Sequence, residues 1–350
     1  MDLSHFARFA TPAADVLKLV PDLTQPLPPP PFTSTNETLK WLYEGSFRAE
    51  VPLTIAFIYF TSVHFFNSLI RKKQMKQADA KGIKYDINDA HSLKSLPPVP
   101  VKIATTKVFK LLVILHNLGL CVFSIWTCYG AVSLIKHSSH DYAQLFSSSI
   151  DTANDFTTYK HFVWNAICDV DDGIFNPTLE RGLSFYAYWF YLSKFYEVFD
   201  TVIILLKGRP SLLLQSYHHS GAMLSMWAGS RYRAPPIWIF VVFNSFVHSI
   251  MYFYYTLSTL HIRVPRILKQ SLTTMQIIQF IVGGSLATVH LFIQYYQYST
   301  KTFQPCIKDG NHFFALYVNV GFLFPLTILF MAFWVDNYAR RLASSKTKTK

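Results

Sequence analysis

The chain has 350 residues, 51% hydrophobic and only 15% charged, where an ordinary soluble domain carries about 25% charge. A mean hydropathy of +0.22 and 17% aromatics exclude a disordered chain, a coiled coil and a disulfide-stapled secreted module, and point to a polytopic membrane protein. The net charge of +12 calls for an anionic partner: a lipid surface, a phosphate-bearing substrate, or both.

The N-terminus lacks a basic stretch followed by an apolar one, so no cleavable signal peptide is expected. Pro21–Pro31 holds six prolines and reads as an extended linker. Asn36-Glu37-Thr38 is a glycosylation sequon. Seven apolar runs then follow, each near the length that crosses a bilayer: Val51–Ile70, Val108–Ile135, Leu183–Leu206, Leu212–Ala228, Ile237–Leu260, Leu272–Gln297 and Phe313–Val335. A membrane β-barrel would alternate instead, so these read as helices. The third and fourth are short or carry ionisable residues.

Between the first two runs, Arg71–Lys107 carries nine Lys/Arg against three acids and reads as a flexible basic excursion. Seven spans put the termini on opposite sides. The side holding this loop, Lys207–Ser211, His261–Ser271 and the tail from Arg340 has nineteen Lys/Arg, and the other side has eleven. The positive-inside rule makes the first side cytosolic. Residues 1–50 are thus expected to be a lumenal Pro-rich tail, 51–339 a seven-helix membrane domain and 340–350 a basic cytosolic tail. The fold class expected is all-α: seven transmembrane helices in a bundle or barrel. Lysines third and fifth from the end resemble a dilysine retrieval signal for the endoplasmic reticulum, and a solvated basic tail on an anionic membrane is the alternative.

Ionisable side chains inside membrane spans are functional candidates. At about 100° per residue, Lys194, Glu197, Asp200 and Thr201 share one face of the third span. Gln215, His218 and His219 share one of the fourth. Asn244, His248, Met251, Tyr252 and Tyr255 share one of the fifth, and Thr273, Gln276 and Gln279 one of the sixth. Lipid is excluded energetically, so these stripes face one another, either as structural polar clamps or as a catalytic cavity. His64, His116, His290 and His312 read as satisfied core or interface residues.

These segments resemble the very-long-chain fatty acid elongases, the ELO family. Lys194-Phe-Tyr-Glu197-Val-Phe-Asp200-Thr201 matches its KxxExxDT motif, His248-Ser-Ile-Met251-Tyr252-Phe-Tyr254-Tyr255 matches HxxMYxYY, and Thr273-Thr-Met-Gln276-Ile-Ile-Gln279 matches TxxQxxQ. Order and spacing match over roughly residues 45–340. The histidine box departs from the usual HxxHH: it reads Gln215-Ser-Tyr-His218-His219, as in a subgroup that includes elongases of polyunsaturated chains.

The resemblance implies a Claisen-type condensation at the cytosolic face of the endoplasmic reticulum, in which a long-chain acyl-CoA and malonyl-CoA give a 3-oxoacyl-CoA two carbons longer, CO₂ and CoA. It implies an acyl-chain tunnel inside the bundle, no cofactor and no metal. The partners implied are membrane lipid and the reductases and dehydratase of the elongation cycle, with no nucleic acid; a homodimer is one assembly left open. His218, His219 and His248 would supply a nucleophile and an acid/base pair. Lys194 and Asn244 would donate to developing oxyanions, and Glu197 and Asp200 would fix a histidine tautomer or pair with Lys194. Gln215, Thr201, Met251, Tyr252, Tyr255 and Gln276 would line the substrate site. Lys207 and Arg266, with Arg209, Arg263 and Lys269, would attract the CoA phosphates.

A membrane di-iron desaturase or hydroxylase also uses histidine boxes, including a QxxHH variant. It needs about eight clustered histidines and an HxxxH pair, whereas no two histidines here are four apart. A non-catalytic seven-helix membrane protein is the other alternative. Of the four cysteines, Cys121 and Cys128 lie in the second span as free thiols. Cys168 and Cys306 fall in loops assigned to the oxidising lumenal side, so a disulfide between them is expected, with two unpaired loop thiols as the alternative.

Overall fold

The computed structural model describes residues 6–32, 36–145, 162–176 and 182–339. The tail 340–350, with its dilysine pattern, lies outside them. The described residues form helices α1 (Glu37–Phe47), α2 (Glu50–Ala80), α3 (Ala90–Ser95), α4 (Lys107–Leu145), α5 (Val163–Cys168), α6 (Leu183–Tyr196), α7 (Phe199–Leu206), α8 (Leu213–Arg231), α9 (Ile237–Thr259), α10 (Arg266–Val289) and α11 (Gly310–Trp334). Five are long and apolar enough to cross a membrane: α2, α4, α9, α10 through Phe292, and α11. The runs at α6–α7 and α8 fall outside that set. The first is split into helices of 14 and 8 residues, and α8 has 19 residues interrupted by polar side chains.

The all-helical expectation needs one correction. Ile293–Gln297, assigned above to the end of the sixth span, is a strand, β2. It pairs antiparallel with β1 (Ala7–Phe9) and with β3 (Thr302–Pro305) in the order β1-β2-β3. Its side chains alternate between buried and half-buried, the period of two that a strand imposes. The N-terminal tail, read as an extended linker, is packed rather than loose. Arg231 at the end of α8 donates to the carbonyls of Gln25 and Pro26, and Tyr43 Oη donates to that of Pro28. The basic excursion is also built: α2 continues to Ala80, and the segment before α4 returns across α7, where Val99 N–H donates to the Gly208 carbonyl and Val101 N–H to that of Leu206. Gly208 has φ of +70°, and a Cβ there would sit 2.1 Å from the Val99 carbonyl carbon, so only glycine serves.

Helix starts follow from the sequence. Asn36 caps α1 by accepting from Thr38 and Leu39 N–H, and Asp309 caps α11 by accepting from Asn311 and His312 N–H. Pro236 and Pro265 immediately precede α9 and α10, where the missing N–H costs nothing. In the bundle α4 packs along α9, α8 lies between α2, α6 and α11, and α10 lies between α9 and α11. One end carries the basic connections α2–α4, α7–α8 and α9–α10. The opposite end carries the sheet, an aromatic core of Tyr43, Phe47, Tyr188, Tyr191 and Trp227, and a disulfide between Cys168 and Cys306. Cys121 and Cys128 are free thiols.

Candidate active site

α6 does not run straight into α7. At Glu197–Thr201 the hydrogen bonds shorten to the i→i−3 pattern: Asp200 N–H donates to the Glu197 carbonyl and Thr201 N–H to that of Val198. This tight turn is where the KxxExxDT side chains fan out. Lys194 Nζ donates to Glu197 Oε1 at 2.6 Å and to Asn244 Oδ1 at 3.1 Å, and lies 3.9 Å above the Phe190 ring. Ser193 Oγ also donates to Glu197 Oε1. Both members of the ion pair are buried, with 3% side-chain exposure each. Thr201 turns the other way and meets Tyr59 Oη at 2.7 Å.

The tie to Lys194 orients the Asn244 amide, so that Nδ2 donates to His248 Nε2 at 3.1 Å. On the other edge of that ring, Nδ1 faces Glu197 Oε2 at 3.8 Å. With Nε2 accepting, the ring proton belongs on Nδ1, toward the carboxylate. His218 and His219 approach from α8. The His218 ring centroid is 6.2 Å from that of His248 and 5.3 Å from that of His219, and Phe322 of α11 stacks on its other side. Gly221, one turn on from His218, permits that stacking: a Cβ there would fall 2.2 Å from the Phe322 ring. Among the described residues His218 Nδ1, His219 Nδ1 and Glu197 Oε2 are buried without a hydrogen-bond partner. Buried polar atoms of this kind are costly unless something is meant to meet them.

These groups border a cavity of about 500 Å³ that reaches toward the basic end of the bundle. His218, His219, His248, Asn244, Asp200, Gln215, Met251, Tyr252, Tyr255, Gln276 and Lys207 all line it, with Gln279, Thr273 and Lys269. Gln276 Nε2 points to Met251 Sδ at 3.6 Å. Lys207, just past α7, is held below the ordinary lysine range by desolvation. Six singled-out residues are not on the wall: Lys194 and Glu197 lie behind Asn244 and His248, Thr201 faces α2, Arg209 and Arg263 are exposed in the connections at the basic end, and Arg266 is exposed there at the start of α10. Other wall residues carried no motif signal: Asn117, Tyr338, Phe330 and Phe333. His116, read as a satisfied core histidine, is satisfied by Asp200 itself. A histidine in an apolar span was the one available signal for it.

The motifs and the cavity together define a membrane enzyme site built on facing helices. The profile of the GNS1/SUR4 (ELO) family matches residues 48–347, and the chain belongs to that family. It is 31% identical over 248 residues to Fatty acid elongase A of Dictyostelium discoideum, covering 67% of this chain and 74% of that protein. It is 32% identical over 168 residues to Very long chain fatty acid elongase 3 of Homo sapiens, covering 48% of this chain and 58% of that protein. Fatty acid elongase sre1 of Dictyostelium discoideum is 33% identical over 166 residues, 47% of this chain and 57% of that protein. The human and sre1 matches thus span a little over half of those relatives. No solved structure matches the chain. With five helices able to span a bilayer, it is a multi-pass membrane protein.

Proposed function

We propose that the protein condenses a long-chain acyl-CoA with malonyl-CoA to a 3-oxoacyl-CoA two carbons longer, releasing CO₂ and CoA, and so acts as a 3-oxoacyl-CoA synthase. The observation that carries this reading is the convergence of His218, His219, His248 and Asn244 on one cavity wall, with Lys207 and Lys269 at its basic end. Because Asn244 occupies Nε2 of His248, the lone pair for attack on the acyl thioester comes from the His218–His219 pair. Acyl transfer to that imidazole releases CoA thiolate, which takes up the ring proton. Malonyl-CoA then enters, and loss of CO₂ leaves an enolate whose carbon attacks the acyl-imidazole carbonyl. The ring departs as imidazolate, takes up a proton from water to return to neutral imidazole, and the 3-oxoacyl-CoA is free to leave. The Asn244 amide, whose second Nδ2 hydrogen is not taken by His248, is the donor available to the enolate and thioester oxygens, and the His248 ring, its Nδ1–H turned to Glu197, orients that amide. Lys194 and Glu197 act through them, by holding the amide and the ring.

In this reading Gln215, Thr273, Gln276 and Gln279 give amide and hydroxyl partners to the pantetheine arm, and Lys207, Lys269 and the nearby Arg266 attract its phosphates. α6–α7 and α8 complete seven spans, with residues 1–50 lumenal and 340–350 cytosolic. The alkyl chain lies in the apolar bundle interior, the membrane is the endoplasmic reticulum, and no cofactor takes part. The test is incorporation of radiolabelled malonyl-CoA by the purified protein. We expect His218→Ala, His219→Ala and His248→Ala each to lower the rate by about 10²-fold or more while elution in detergent stays native, since acid–base roles carry roughly 10²–10⁴. Normal turnover in all three sinks the reading.

A further inference from the structure

Asp200 is held by side chains from two other helices, α4 and α9. Lys194, its nearest cation in the motif, is committed to Glu197 and Asn244, so the Asp200 carboxylate finds partners on other helices. His116 of α4 donates from Nε2 to Asp200 Oδ1 at 2.8 Å. Its Nδ1 lies 3.2 Å from Tyr196 Oη, so the phenol donates to the ring nitrogen that carries no proton. Tyr252 of α9 donates from Oη to Asp200 Oδ2 at 2.7 Å. Each carboxylate oxygen thus has one strong partner. His116 and Tyr252 are both buried, Tyr252 fully.

The chain of contacts ends at the proposed catalytic group. The Tyr252 ring meets His248 edge-on, 5.5 Å between centroids, and the Tyr252 hydroxyl is tethered away from His248 by Asp200. We propose that His116 is a positioning residue for the condensation: through Asp200 it pins Tyr252, and Tyr252 fixes the ring of His248 in the cavity wall. This rests on the condensation reading. The physical reason is directional. A carboxylate held at both oxygens has one orientation, whereas a buried carboxylate that loses one partner turns to recover it. Asp200 lines the cavity, so without His116 it can turn there, and Tyr252 is released with it.

The experiment uses the full chain with His116→Ala, His116→Gln, Tyr252→Phe and the His116→Ala/Tyr252→Phe double variant. The Gln side chain brings an amide N–H to where Nε2 stands. We expect His116→Ala to lower kcat by about 10- to 100-fold, the scale of an ångström-sized misplacement, with KM for both thioesters nearly unchanged. His116→Gln should restore most of kcat, and the double variant should be no worse than the poorer single one, because the two act through one chain. A second readout is independent of turnover: carbethoxylation of His248 by diethyl pyrocarbonate, followed by peptide mass spectrometry. His248 should react several-fold faster in His116→Ala than in the wild type or His116→Gln. Full kcat in His116→Ala, a loss confined to KM, multiplicative losses in the double variant, or an unchanged His248 reaction rate each overturn the proposal. A wild type that reacts this way yet never incorporates malonyl-CoA supports the positioning role and sinks the condensation reading instead.

Discussion

Lys194 and Glu197 show what a single ion pair does in an apolar bundle. Both are buried, and each has further partners: Asn244 and Phe190 for the lysine, Ser193 for the carboxylate. Removing one member leaves a charge without its counterion in low dielectric, which typically costs about 3–5 kcal/mol. Lys194→Met should therefore lower the unfolding midpoint in detergent as well as the elongation rate. Replacing both, as Lys194→Met/Glu197→Leu, should recover most of the midpoint and none of the rate, since the Asn244 amide and the His248 ring stay unheld. A double variant that recovers activity would make the pair a structural clamp only. The residues of this site were legible in the sequence as polar groups inside apolar runs, but their directions were not. The face shared by Lys194, Glu197, Asp200 and Thr201 assumes a uniform turn of about 100° per residue. The i→i−3 bonds at Asp200 and Thr201 wind the backbone tighter, so Asp200 reaches the cavity, Lys194 and Glu197 stay behind it, and Thr201 faces Tyr59. His116 escaped for a different reason: its partner lies 84 residues away, and only packing of α4 on the neighbouring helices brings them together.

At the scale of elements, α8 and α11 approach closely because Gly221 has no side chain. Its missing Cβ leaves room for the Phe322 ring, and that ring stacks on His218. Gly221→Ala places a methyl where the ring now lies, and a tightly packed interior gives way by shifting the neighbour. Helix propensity favours the alanine by about 1 kcal/mol, so the isolated α8 gains while the contact loses. We expect a modest change in unfolding midpoint and a clear fall in elongation rate, because the displaced ring is the wall behind His218. Unchanged rates would mean that Phe322 moves without carrying His218. The long helices were legible from apolar length alone. The sheet was not. Ile293–Gln297 is five residues at the end of an apolar run, too short to separate strand from helix by period, and one of its partners, β1, lies at the far N-terminal end of the chain.

The whole molecule is asymmetric from end to end. At the basic end the cavity has Lys207 and Lys269 on its wall, and the connections there contact one another through backbone hydrogen bonds such as Val99 to Gly208. The other end is covered by the N-terminal segment, the sheet and a disulfide. The N-terminal segment pairs with β2, binds Arg231 and caps the aromatic core. The Cys168–Cys306 bridge ties the end of α5 to the segment after β3, across a separation of 138 residues, with Cα atoms 4.7 Å apart. The family match begins at residue 48, so most of the N-terminal cover lies outside it. A closed end and an open end suit a site that admits two CoA thioesters in turn from one side. The bridge also reports which side that is. Cross-links closing loops of this length are worth roughly 2–5 kcal/mol, so reduction or Cys168→Ser should lower the unfolding midpoint measurably. In sealed microsomes a membrane-impermeant phosphine added outside should leave the bridge intact, and the same reagent after detergent should open it, read by maleimide labelling of Cys168 and Cys306. Opening before detergent would place the sheet end in the cytosol, invert the proposed topology, and put the cavity's basic end where malonyl-CoA does not reach it.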